Sequence, residues 1–145
     1  MNMKNMKGPS SSHYIPMFII MIMAGLLSTM NVFADKWSDI RWSLNDLYMS
    51  LLMTGWMFLF MGIYNQTPNI FVFGLTIVII SMVFIRSQLF IDNTQYLLGM
   101  IPHHSMAIYL SKKMLQKPNC FQNFLRNIIY SQEKEIEFMK NVHCS

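Results

Sequence analysis

The stretch IFVFGLTIVIISMVFIRSQLF, residues 70–90, decides the fold class. From Ile70 to Ile85 it carries no charge, and its polar side chains there are the hydroxyls of Thr76 and Ser81. A helix of about 20 residues crosses the roughly 30 Å hydrocarbon core of a bilayer. This stretch is long enough and apolar enough to do so. Arg86 and Gln88 fall near its end, where long polar side chains can reach water by snorkelling.

Moving outward, the uncharged turn Asn65-Gln66-Thr67-Pro68-Asn69 joins it to a second span, Leu44 to Tyr64. Asn45 and Asp46 suit the polar mouth of that span. A third uncharged run, Tyr14 to Phe33, comes first in the chain. A cleaved signal peptide is the competing reading, since Val32 and Ala34 fit a small-residue site before Asp35. The run exceeds the roughly 7–15 residues of a signal core, which favours a retained span. Between the first two spans lies the charged connection Asp35 to Arg41, with Trp37 and Trp42 of the type that prefers a membrane interface. Residues Met1 to His13, with Lys4, Lys7 and a Gly8-Pro9-Ser10 run, read as a disordered basic tail.

Composition agrees. Of 145 residues 53% are hydrophobic and 12% charged, against about 25% charged in soluble domains. The net charge of +4 comes without a dense basic run interleaved with aromatics, which argues against nucleic acid as a partner. Lys4 and Lys7 favour a cytoplasmic N-terminus, so three spans send the C-terminus to the non-cytoplasmic side. Lys112, Lys113 and Lys117 on that exported side pull the other way.

Residues 92–145 are a different kind of segment. Asp92 followed by Gln95 resembles a capping pair opening a helix that runs to about Gln116. Lys117-Pro118-Asn119 turns the chain, and a second helix continues to about Asn141. Two helices bury too little surface to stand alone. The hairpin is therefore expected to dock on the spans or to pair with a second copy into a four-helix bundle. The expected architecture is an all-α membrane protein: a tail (1–13), a three-span region (14–91) and a helical hairpin (92–145). Cys120 and Cys144 would sit at opposite ends of the second helix, too far apart for an intrachain disulfide.

The stretch Gly99-Met100-Ile101-Pro102-His103-His104-Ser105-Met106 carries the chemistry. At about 100° per residue, Tyr96, Met100, His103, His104, Ala107, Ser111 and Met114 share roughly a third of the helix circumference. Met106 points away from that face. Pro102 removes a hydrogen bond to the carbonyl of Leu98 and should kink the helix below the histidines. On the second helix Gln132, Glu135, Ile136, Met139 and His143 recur on one face, while Glu133, Glu135 and Glu137 alternate and would mostly face solvent. Imidazoles with thioethers, and no thiolate cluster, suit copper, above all Cu(I), better than zinc or magnesium. The competing account makes the histidines caps of a kinked helix and the methionines core.

The string Met100-Ile101-Pro102-His103-His104, with Asp92, Tyr96-Leu97-Leu98 before it and Gln132-x-x-Glu135-Ile136-x-x-Met139 after it, resembles domain-of-unknown-function family 305. The resemblance covers about residues 92–143. It implies a ferritin-like, four-helix type of domain, often exported and associated with copper binding and resistance, with Met100, His103, His104 and Met139 as ligands. The ending His143-Cys144-Ser145 departs from the Trp-Leu type common in relatives, and one copy of the helical pair is present.

Met49, Met53, Met57 and Met61 form a stripe on the second span, drifting about 40° per step. Packing explains most such stripes; soft sites leading to the histidines are the functional alternative. Met53, Met57, Met114 and His143 are accessory candidates. Gly55 and Gly62 fit close helix contact. No Ser/His/Asp set, phosphate-binding loop or di-iron Glu-x-x-His pair is present, so no enzyme and no small-molecule substrate are expected. A metal-dependent oxidoreductase would need an acid–base pair that the sequence does not supply. The expected function is membrane-anchored copper binding outside the cytoplasm, with the lipid bilayer and a second copy as partners. The alternative is a structural or assembly protein whose hairpin makes contacts without metal.

Overall fold

The structure is a computed structural model and describes residues 13–142. His143 and Cys144 lie outside the described residues, as does the expected tail apart from His13. Among the described residues there are five α-helices and no strand: α1 (Tyr14–Leu27), α2 (Leu44–Tyr64), α3 (Pro68–Ser87), α4 (Asn93–Leu115) and α5 (Gln122–Asn141). Two short 3₁₀ turns, Met30–Phe33 and Trp37–Asp39, lie between α1 and α2. Three segments are long and apolar enough to cross a membrane: Tyr14–Phe33, Leu44–Tyr64 and Pro68–Ser87.

The chain divides into two compact units, one of residues 1–27 and 47–89, the other of residues 28–46 and 90–145. The line differs from the expected one at residues 28–46, which go with the hairpin and not with the spans. The α-helix of the first apolar run ends at Leu27. Asn31 gives the reason for the change of direction: its amide donates to Thr29 Oγ1 (3.1 Å) and to the carbonyl of Arg41 (2.7 Å), and its carbonyl accepts from Arg41 N–H (3.0 Å). Short polar side chains that bond the backbone in this way compete with continued helix.

In the first unit, glycines set how closely the helices approach. A Cβ at Gly62 would overlap the backbone of Phe71, and one at Gly74 would overlap the backbone of Leu59. The antiparallel pair α2 and α3 therefore meets backbone to backbone, the close contact that small residues permit between spans. Gly55 packs on Ile77 and Val78, and Gly25 of α1 on Ser50. Phe58 is fully buried, with its ring centroid 5.4 Å from that of Phe73 and 6.1 Å from that of Phe18. The turn after α2 is a Schellman closure: Thr67 N–H donates to Gly62 O (2.9 Å) and Gln66 N–H to Ile63 O (3.2 Å), with Gln66 at φ 53°. Pro68 then occupies the first turn of α3, where its missing N–H costs nothing.

In the second unit, α4 and α5 form the expected hairpin around Ile101, Ile108 and Ile136, with Ile129 and Met139 packed against them. Asp92 caps α4 by accepting from Gln95 N–H at 2.7 Å. The Gln95 side chain does not return to the cap; its Oε1 accepts from Leu44 N–H at 2.9 Å. Ser43 and Asp46 close a second box: Asp46 Oδ2 accepts from Ser43 N–H (2.9 Å), and Asp46 N–H reaches Ser43 Oγ (3.4 Å). The helix α4 continues through a buried Pro102. At the hairpin turn, the Asn119 amide donates to the carbonyls of Met114 (3.1 Å) and Lys117 (2.9 Å), and α5 begins three residues later.

Candidate metal centre

The surface the hairpin offers is covered in part by the connection, through a polar latch. Asp39 is 2% exposed. Its Oδ2 accepts from Ser105 Oγ at 2.7 Å, and its Oδ1 pairs with Lys140 Nζ. Ser105 in turn accepts from Asp35 N–H at 2.8 Å, and Asp35 Oδ2 accepts from Lys112 Nζ at 2.7 Å. Burial pushes the Asp39 carboxyl up, but the bonds from Lys140, Ser105 and Ser38 more than offset this and hold it below its ordinary value. The Asp35 hydrogen bond raises the Lys112 pKa against some desolvation.

This latch was not anticipated. The charged connection folds onto α4 and α5, so residues 28–46 cover part of the hairpin. No signal in the sequence joins Asp39 to Ser105 and Lys140, which lie 66 and 101 positions away.

On α4, His103 is exposed and His104 half-buried, with ring centroids 6.0 Å apart. His104 Nδ1 lies 2.9 Å from Glu135 Oε2 on α5. The pair is short yet poorly aligned, because this buried ring nitrogen has no hydrogen-bond partner of acceptable geometry. We read it as an electrostatic contact. Burial lowers the His104 pKa, Glu135 pulls it back up and His103 lowers it further, leaving it below the ordinary value. The shift favours the neutral ring, the form a metal ligand needs. Gln132 Nε2 donates to the same Glu135 oxygen at 3.3 Å, and Glu133 lies 3.6 Å from Lys112. All three glutamates are exposed, as expected, and Glu133 and Glu135 reach α4 from that surface.

Met139 packs on the isoleucine cluster. Met100 is half-buried on α4, and Met114 is exposed near the end of that helix. Met53 and Met57 are 54% and 56% exposed on α2, so the stripe faces outward from its own unit. Among the described residues, no group of three or more His, Cys, Asp or Glu stands close enough together to hold an ion. The contact that sequence reasoning missed is His104 with Glu135. Its signal was present, because Glu135 shares a face with Gln132 and Met139.

An all-helical chain with three span-length apolar segments and a His-bearing C-terminal hairpin defines the class. Within it, residues 90–143 match the Domain of unknown function DUF305. The chain is also 43% identical over 140 residues to Uncharacterized protein L153 of Acanthamoeba polyphaga mimivirus, a match covering 92% of each chain. The chain belongs to the same family as that viral protein. No solved structure matches it.

Proposed function

We propose that this is a multi-pass membrane protein whose hairpin unit binds copper as Cu(I), on the non-cytoplasmic side, for sequestration or hand-over. The observation that carries the reading is His104: a half-buried imidazole whose buried Nδ1 lacks an aligned partner, next to a second imidazole. Buried ring nitrogens are normally satisfied, and an exception calls for a water, an ion or a functional role. His103 and His104 would supply nitrogen, and Met100 and Met139 thioether sulfur, a donor set that suits Cu(I). The ferritin-like, copper-associated character that the family resemblance implies points the same way.

One observation favours the assembly reading instead. The hairpin exposes Leu110, Phe124 and Phe138, a surface on which a second copy could complete four helices.

Titration of the detergent-purified full chain with Cu(I) against a competing chelator separates the two. The expected result is binding in preference to zinc, weakening in acid as His104, whose pKa lies below its ordinary value, takes up a proton. A chain that takes up no Cu(I) contradicts the metal reading and leaves the assembly role.

A further inference from the structure

A cleft of about 290 Å³ opens in the second unit beside the latch, floored by Leu97, Ile101 and Met139 and rimmed by Arg41 and Lys140. The two cations are not equivalent. Lys140 Nζ is engaged by Asp39, whereas among the described residues the Arg41 guanidinium has neither a carboxylate nor a hydrogen-bond acceptor assigned to it. None of the described residues lining the cleft is acidic. The backbone of Arg41 is also held in place, because Asn31 bonds both its N–H and its carbonyl. A guanidinium carried from this fixed backbone above an apolar floor is complementary to an anionic amphiphile. Guanidinium binds phosphate with a planar fork of donors.

The position of Arg41 in the chain selects the source. It stands three residues before Leu44, where the span-length helix α2 begins, between Trp37 (90% exposed) and Trp42 (49% exposed). Exposed tryptophans at the end of a span mark the headgroup level of a bilayer. We infer that this cleft binds an anionic phospholipid, with its phosphate on Arg41 and its glycerol and upper acyl region on Leu97, Ile101 and Met139. The site rests on the membrane reading; it shares Met139 with the proposed copper ligands, whereas Arg41 belongs to the lipid cleft alone.

The test uses the full chain in detergent with phosphatidylglycerol or phosphatidylcholine of identical acyl chains, counted as bound lipid by native mass spectrometry. Wild type should retain phosphatidylglycerol over phosphatidylcholine. Arg41→Gln should lose about fivefold of that preference, and the fold should survive because Asn31 bonds only the backbone of residue 41. Arg126→Gln removes the same charge from an exposed position on α5 and should change little. Thr94→Trp narrows the cleft without altering charge and should also reduce retention. Equal retention of the two lipids by wild type, or equal losses in Arg41→Gln and Arg126→Gln, overturns the inference. A chain that stays soluble without detergent would instead fail the membrane reading.

Discussion

The two units of this chain are held together by opposite means. The spans close through small residues that let backbones touch, at Gly62 against Phe71 and Gly74 against Leu59, around the buried Phe58. The hairpin unit closes through charge, with Asp39 buried and shared between Ser105 and Lys140. Under the proposed membrane function, the contrast follows from the solvent each unit would meet. Hydrocarbon gives apolar side chains no reason to associate, so helices within it rely on close packing. In water a two-helix hairpin buries too little apolar surface to be stable, and a satisfied polar network fixes its partner segment in one arrangement.

The largest effect that would break this comparison lies in the latch. Lys140→Met leaves the Asp39 carboxylate buried and unpaired, and should cost about 3 kcal/mol in the hairpin unit. That is the low end for a buried pair, because Lys140 is itself 28% exposed. The pH dependence gives the sign. Asp39 is depressed in the folded chain, so its contribution is present above the unfolded value of about 3.9 and is lost as pH falls below it. Hydrogen-exchange protection across residues 28–46, taken relative to the intrinsic rate at each pH, should therefore fall in wild type below about pH 4. In Lys140→Met, only the Ser105 and Ser38 bonds oppose burial at Asp39, and the gap to wild type should shrink as pH falls. Equal protection of this segment in both proteins at neutral pH would remove the latch from the account.

A smaller effect sharpens the other half. Gly74→Ala would gain about 1 kcal/mol from helix propensity alone. With Leu59 backbone where the new methyl must go, the span unit should instead lose about 1–3 kcal/mol. Thermal unfolding in detergent would show a lower midpoint for the spans while exchange in residues 93–141 stays unchanged. A stabilised variant would mean that α2 and α3 do not meet at this glycine.

What the sequence disclosed follows the same division. The span unit was legible because its determinants are local: uncharged runs of fixed length, a Pro68 turn, glycines at Gly55 and Gly62. Gly74 was passed over because one glycine in an apolar run gives no sign of the backbone it faces. The hairpin was legible in its helices, its Asp92 cap and the register that sets Gln132, Glu135 and Met139 on one face. Its closure was not, because the pairing of Asp39 with Ser105 and Lys140 is non-local, and a charged connection between spans reads equally well as a surface loop. The histidines were found from their spacing. The contact between His104 and Glu135 needed the hairpin register, which two helix faces alone do not fix.

The two regions also offer rival homes for a soft metal, the outward methionine stripe of α2 and the histidines of α4. Cu(I) titration of two double variants of the full chain decides between them. The account predicts that His103→Ala with His104→Ala abolishes tight binding, whereas Met53→Leu with Met57→Leu binds as wild type does. Retained affinity in the histidine variant together with loss in the methionine variant would contradict it.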